Sequence, residues 1–455
     1  MMQPILFWFR RDLRLADNLA LAGAIKTGQP IIPVYVVDSQ DSGGASRWWL
    51  HHSLASLDAA LGSPLVLRSG QPEQVLADLA AETGADAIFF NKRYEPESRA
   101  QEERLGELVS SDVAVAGYDD NLISTPPDLR TGTGGYYRVF TPFWKASAAL
   151  GEPAEPLPEP ASLILAKHNL PNEPLNALGL LPSEPDWSGG LRETWAPGAS
   201  NALRLLDELE PTLAGYAANR DRPDLDVTSR LSPHLHFGEV SPRQVWHGVR
   251  RLQAQAGHLA GAEAFLRQLY WREFSAYLLF HFPHLPTAPL RPEFEYFPWS
   301  ENEDHLRAWQ QGKTGFPIVD AGMRQLWHTG WMHNRVRMIV ASFLVKDLMI
   351  PWQQGADWFL DTLVDADLAN NSASWQWVAG SGSDAAPYFR VFNPDLQAQK
   401  FDPNGDYVRR WIPELSGKTG ERYPDPIVDH GEARQRALEA YDVVKGIRAS
   451  NAAPG

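Results

Sequence analysis

Three stretches of this sequence gather residue types able to hold a flat, partly polar ligand. Phe265-Leu-Arg-Gln-Leu-Tyr-Trp-Arg-Glu-Phe274 lies in a strong helical pattern. Phe265, Gln268 and Arg272 follow three- and four-residue steps, so they share a face with Trp271 beside them. An amide, a large ring and a guanidinium so placed can read a base edge, stack on it and hold a phosphate. The competing reading is an amphipathic helix with its aromatics in a core and its arginine in water. In Trp331-Met-His-Asn-Arg-Val-Arg-Met338 the spacing predicts a ridge of Asn334, Arg337 and Met338. A polar pair beside a polarizable thioether suits a half-apolar ligand such as a base, although a helix edge capped by charges has the same pattern. His333 reads as a structural histidine. In Asp365-Ala-Asp-Leu-Ala-Asn-Asn-Ser-Ala-Ser-Trp-Gln-Trp377, the residues Asp367, Asn371 and Trp375 are successive four-residue steps. Carboxylates and amides in so apolar a segment need partners. A bound polar ligand supplies them, and so does an Asp365–Arg337 ion pair with no ligand at all.

All three stretches fall in the second half of the chain, where helical periods dominate: Ala262–Phe280, Gly322–Trp327, Trp331–Leu348 and Gly431–Ile447. The first part differs. Ile5–Phe9, Ile31–Val37, Leu65–Leu67, Ala87–Phe90 and Val113–Ala116 are short apolar runs separated by helical patterns, such as Trp48–Leu61 with Leu50, Leu54, Leu57 and Leu61 in phase. Strands alternating with helices imply a parallel sheet covered on both faces. Between the halves, residues 151–200 hold 9 of the 36 prolines, as expected of an extended connector. The expected organisation is an α/β domain over 1–130, a linker over 131–200 and an all-helical domain over 201–455.

Composition narrows the chemistry. With no cysteine, disulfides, thiolate catalysis and Cys-ligated metal sites are excluded, so redox chemistry must use a cofactor or aromatic side chains. Tryptophan is plentiful, at 17 residues, and most of these are expected in cores. The net charge of −15 argues against a general nucleic-acid coat but leaves room for a basic patch around one cleft. No run reaches the roughly 20 apolar residues of a membrane helix. The N-terminus shows no secretion signal, and a cytoplasmic protein is expected. Gly132-Thr-Gly-Gly135 lacks the context of a dinucleotide loop, His234 and His236 lack a third metal ligand, and no nucleophile elbow is present. No metal site is expected.

Taken together, the segments resemble the photolyase/cryptochrome family, over about residues 5–445. Trp8-Phe-Arg-Arg-Asp-Leu-Arg-Leu-Ala-Asp-Asn18 is similar to the family's opening motif. Thr228-Ser-Arg-Leu-Ser-Pro233, Gly312-Lys-Thr-Gly-Phe-Pro-Ile-Val-Asp-Ala321, Trp331–Met338, Asp365–Trp377 and Ala385-Ala-Pro-Tyr-Phe-Arg-Val-Phe-Asn-Pro394 are similar to its flavin-domain segments. The resemblance implies a Rossmann-like N-terminal sheet domain and an all-helical domain binding FAD in a U-shaped conformation. It assigns the cofactor to Tyr216, Thr228, Ser229, Arg230, Leu231, Ser232, Phe265, Arg337, Asp365, Ala366, Asp367 and Asn371. Asn371 matches the residue facing flavin N5, where plant cryptochromes place Asp. Trp375, Trp352 and Trp299 match a chain of three tryptophans carrying an electron from the surface to the photoexcited flavin.

The implied substrate is ultraviolet-damaged DNA, its lesion flipped into the flavin cavity, a cost lowest for a poorly paired base. Gln268, Trp271, Arg272, Asn334, Arg335, Met338, Trp377, Arg390 and Gln397 match lesion or DNA contacts. Bacterial cyclobutane-dimer photolyases carry Glu where this chain has Gln268. The (6-4) photolyases have Gln there, but need histidines where this chain has Asn334 and Met338. A cyclobutane pyrimidine dimer photolyase, a carbon–carbon lyase acting as a monomer, is therefore expected. The alternatives are a cryptochrome photoreceptor without repair activity, a (6-4) photolyase, and a flavoprotein doing thermal redox chemistry. For an antenna pigment, Asn91-Lys-Arg-Tyr-Glu-Pro-Glu-Ser-Arg99 is similar to a folate-contacting region but has Glu97-Ser98 in place of Asn-Glu. Ser46-Arg-Trp-Trp-Leu-His-His-Ser53 resembles plant cryptochromes and nearby bacterial photolyases. Methenyltetrahydrofolate is the expected antenna, with deazaflavin or FMN as alternatives.

Overall fold

The computed structural model describes residues 2–38, 43–62, 64–385, 389–416 and 422–452. Ala386, Pro387 and Tyr388 of the last resembling motif lie outside the described residues. The five apolar runs form β1 (Ile5–Phe9), β2 (Ile31–Val37), β3 (Val66–Ser69), β4 (Ala87–Asn91) and β5 (Ala114–Tyr118). They pair in parallel in the order β3-β2-β1-β4-β5. Every residue of β1, β2 and β4 is buried because both faces are covered. Phe7 and Phe9 pack on one face with Trp48 and Leu54, while Trp8, Val34 and Ile88 pack on the other. The edge strand β5 is partly exposed.

Among the described residues no strand follows β5, and the later elements are helices joined by loops. The first core passes without a break from the sheet into the helical half through Trp195, Phe237 and Val364. Beside it lies a buried charge network. Arg243 donates to Asp17 at 3.1 Å and to Asp120 at 2.5 Å, and Arg14 pairs with Asp120. Removing one member of such a network strands a buried charge, at a cost of about 3–5 kcal/mol. At Gly238 (φ +65°), an added Cβ would lie 2.0 Å from the Arg11 carbonyl oxygen, so the backbones of the two halves can approach this closely here only over a residue without a side chain.

One expected helix, Trp331–Leu348, starts later than its periodicity. The Pro317–Thr329 helix ends at Gly330 in the left-handed region, and Trp331–His333 form an extended link tied down by Arg337 Nε donating to the Met332 carbonyl at 2.7 Å. The next helix is Asn334–Ser342, capped by His333, and it continues as a π-helix over Phe343–Asp347. Trp331 is therefore not on the helix, contrary to its periodicity, because Gly330 stops one helix and a new cap is needed before the next. The 131–200 stretch is not wholly extended: Phe140–Ala148 is a helix, and it packs against the Leu259–His281 helix.

Candidate active site

The Leu368–Ala379 helix is the axis of the site. It starts where the Asp367 carboxylate accepts from the Asn370 amide at 2.8 Å and stops at Gly380 in the left-handed region. At its start, Arg337 donates to both Asp365 oxygens at 2.9 and 3.1 Å, and Ser232 Oγ donates to Asp365 at 2.7 Å. The ligand-free pairing foreseen for Asp365 is thus present, and it draws the Thr228–Ser232 loop to the same place. Arg230 in that loop has φ +54°, and its Nε is buried without a hydrogen-bond partner. Such a buried donor in a loop with two serine hydroxyls is a donor set that suits a diphosphate. Tyr216 and Phe265 meet at 5.3 Å, ring to ring, in the core beside the loop, and Leu231 is buried with them. Ala366 is buried as well.

Burial opposes ionisation of Asp367, but His236, Arg272 and Arg11 outweigh it and hold the carboxyl below the usual carboxylate range. Burial, with Arg11 adding to it, pushes His236 down to about 4. These groups line a narrow cavity of about 50 Å³ between the two halves, with Arg93, Glu95 and Asn121. Arg11 and Lys92 follow the carboxyl ends of β1 and β4, where the strand order reverses and open α/β sheets place ligands. Arg272 belongs here and not with Gln268: its Nη1 donates to the Asn121 carbonyl at 2.9 Å. The Gln268 Nε2 donates back to Ala264 of its own helix at 3.1 Å. Trp271 stacks on Phe140 at 3.7 Å with the rings 6° from parallel. The amide, ring and guanidinium that shared a helical face thus have three separate surroundings.

One turn into the Leu368–Ala379 helix, the Asn371 Nδ2 donates to the Ala356 carbonyl at 3.0 Å, which fixes the amide's orientation. Trp375 follows, buried against Trp309 and Phe359. An added Cβ on Gly355 would lie 2.1 Å from the Trp375 ring, so only glycine admits the indole there. Trp375 and Trp352 are buried in one apolar cluster, and Trp299 is packed on its margin, partly exposed, against Phe297 at 4.4 Å. The three tryptophans, 23 and 53 residues apart in sequence, are brought into one body that grades from interior to surface.

The far end of the helix opens on a cleft of about 510 Å³ lined by Trp377, Arg335, Met338, Arg390 and Gln397, five of the residues singled out in sequence. Arg222, Phe401 and Lys400 join them. Their basic character was readable, but their convergence was not, because they come from separate elements. Arg335 is held by Asp221 at 3.0 Å and lies over Phe401. Asn334 is exposed at the start of its helix, with Nδ2 4.0 Å from the Met338 sulfur. A cleft walled by aromatic rings, a thioether and cations can take up a flat base-like group attached to phosphate.

The family description "DNA photolyase" fits residues 5–161, and "FAD binding domain of DNA photolyase" fits residues 265–443. The chain is 48% identical to the deoxyribodipyrimidine photo-lyase of Agrobacterium fabrum, over 97% of this chain and 98% of that one. It is 38% identical to cryptochrome-1 of Arabidopsis thaliana, over 98% of this chain and 71% of that one. Among solved structures, the bacterial class III photolyase from Agrobacterium tumefaciens superposes with a TM-score of 0.93 at 47% identity, covering 98% of each chain. A Synechocystis cryptochrome superposes with a TM-score of 0.88 at 28% identity, covering 97% of this chain and 99% of that one.

Proposed function

The chain belongs to the photolyase/cryptochrome family, and on that premise we propose that it is a DNA photolyase that splits cyclobutane pyrimidine dimers in light. The observation that carries this reading is the open cleft, where Trp377, Met338, Arg335, Arg390 and Gln397 converge at one end of the helix that carries Asn371 and Trp375.

A family of FAD-binding proteins implies FAD, and the residues present suit it. Tyr216, Thr228–Ser232, Phe265, Arg337, Asp365, Ala366, Asp367 and Asn371 would hold it, with the buried Arg230 Nε supplying a donor that no protein group meets. When bound, FAD supplies the photoexcited electron donor that splits the dimer and takes the electron back. The remaining work falls to the protein. Arg390, Arg335 and Lys400 would hold the phosphates on either side of the flipped nucleotide, while Trp377, Trp271 and Met338 contact its apolar face. Asn371 presents a neutral amide, oriented by Ala356, that tolerates both protonation states of the ring beside it. Trp299, Trp352 and Trp375 carry electrons inward from the surface and exclude water through their shared core. Gln268 stands where a carboxylic acid would otherwise stabilise the reduced lesion. Arg272 serves the interdomain cavity and Asp367, away from the DNA.

The protein is proposed to act as a monomer on damaged DNA. Among the described residues, no helix is long and apolar enough to cross a membrane. Methenyltetrahydrofolate is the proposed antenna, with deazaflavin or FMN as alternatives, and the absorption of pigment released from purified protein identifies it. The function is tested by mixing reduced protein with oligonucleotides carrying one defined lesion, cyclobutane or (6-4), in blue light and in darkness. Light-dependent restoration of the cyclobutane substrate alone is expected. Restoration of neither, with the flavin still photoreducible, would favour the photoreceptor reading, which the similarity to cryptochromes keeps in view.

A further inference from the structure

Phe389 immediately precedes Arg390 at the rim of the cleft, and its ring is held from two directions. Tyr441 of the His430–Ala452 helix stacks on it at 4.5 Å between centroids and 6° from parallel. The Lys346 Nζ lies 3.1 Å from the same centroid. An amine so near the ring and a parallel ring so close would overlap on one face, so they occupy opposite faces. Lys346 is buried, and its Nζ also donates to the Ala379 carbonyl at 3.1 Å, the last residue of the Leu368–Ala379 helix. Burial pushes Lys346 well below the ordinary lysine value, and the neighbouring Asp347 pulls it back up. Outward, Lys445 lies 5.0 Å from the Tyr441 ring, so the stack runs from the interior to the surface.

Lys346 and Asp347 sit in the π-helix Phe343–Asp347, a backbone form that collects at functional sites. His430 at the start of the C-terminal helix bonds to Asp347, a second tie between the same two elements. Ser342 Oγ, one residue before the π-helix, accepts from the Phe392 amide at 3.3 Å. A void of only about 30 Å³ lies among Lys346, Phe389, Tyr441, Trp377, Arg390 and Phe392. The last three also line the open cleft. Close packing transmits displacement, so a shift of Phe389 must reach Arg390 and Trp377.

We propose that the Lys346–Phe389–Tyr441 stack sets Arg390 and Phe392 over the cleft, which makes Lys346 and Tyr441, neither of them lining that cleft, positioning residues for lesion binding. The inference rests on the cleft being the lesion site. It is tested in the FAD-loaded full-length protein with Tyr441→Leu, and with Tyr441→Phe as the conservative variant. Three readouts are taken: dark affinity for an oligonucleotide bearing one cyclobutane dimer, the rate of trypsin cleavage after Arg390, and the rate of flavin photoreduction. Y441L should weaken lesion binding about tenfold, speed cleavage after Arg390 and leave photoreduction unchanged, while Y441F matches the wild type in all three. Lys346→Met should act in the same direction as Y441L. Wild-type affinity and cleavage in Y441L, or equal losses of affinity and photoreduction, would overturn the proposal. Should the wild type show no preference for damaged DNA, the lesion reading falls and the cleavage arm alone decides: unchanged cleavage in Y441L overturns the stack as well.

Discussion

The two ends of the Leu368–Ala379 helix face cavities of opposite character. At the Asp367 end, the narrow cavity of about 50 Å³ is full of charge that is answered internally: Arg93 and Arg11 pair with Glu95, and His236 lies 3.8 Å from Asp367. At the Trp377 end, the open cleft is ten times larger, at about 510 Å³. Among the described residues, Arg390, Gln397 and Lys400 make no side-chain hydrogen bond or ion pair within the protein. In a chain of net charge −15, these solvent-facing donors make a local basic patch, the feature that the proposed DNA contact needs. The narrow end answers its charges within the protein, while the wide end pairs Arg335 with Asp221 and turns Arg390 and Lys400 to solvent.

The largest effect separates two tryptophans two residues apart on this helix. Trp375→Phe should nearly abolish photoreduction of bound flavin while lesion affinity holds. Trp377→Phe should do the reverse, and absorption traces beside a dark binding assay distinguish them. If both variants lost the same property, the helix would not divide as described.

Two buried histidines, His236 in the narrow cavity and His333 at the cap of the Asn334–Ser342 helix, make a prediction about acid. His236 and His333 are each pushed down to about 4 by burial, from an ordinary value of 6.5. The unfolded chain therefore takes up protons that the folded chain refuses as pH falls from 6.5 toward 4, and stability drops over that window. The slope reaches up to about 1.4 kcal/mol per pH unit for each histidine. Melting temperatures across this range should fall, and less so in His236→Gln. A flat profile would mean that both sites admit the charged imidazole.

Smaller effects sharpen the open end. Arg390→Ala should weaken binding to damaged DNA by about 1–2 kcal/mol, and should lower the salt slope of binding by about one phosphate contact. An unchanged slope would place Arg390 away from the backbone. Gln268→Glu should raise the repair yield per photon modestly, since an acid can stabilise the reduced lesion where an amide cannot. No gain would mean that the surrounding cavity already compensates.

The fold was legible where local pattern decides it. β1 and β2 run over the same residues as their apolar runs, and Leu50, Leu54, Leu57 and Leu61 all turn inward. The gap at Gly330 between two helical periods was legible too, but periodicity could not show that the second helix waits until Asn334, because Trp331–His333 serve as an extended link and cap. The site was legible in its composition and only partly in its grouping. Gln268, Trp271 and Arg272 share a helix face, yet Ala264, Phe140 and Asn121 draw them apart, because each side chain answers to its tertiary neighbours. Trp299, Trp352 and Trp375 show the converse: distant in sequence, they meet in one core. Lys346, Lys400 and Arg222 carried no signal beyond their charge, since their significance comes from elements that meet only in the folded chain.

The central claim is that the open cleft receives a flipped dimer, and a dark titration tests it most directly. An oligonucleotide with one cyclobutane dimer and its undamaged twin would be bound in parallel to the wild type and to Trp377→Ala. The wild type should prefer the damaged strand strongly, and the variant should lose most of that preference while still binding undamaged DNA as the wild type does. Equal affinity of the wild type for both strands would contradict the account.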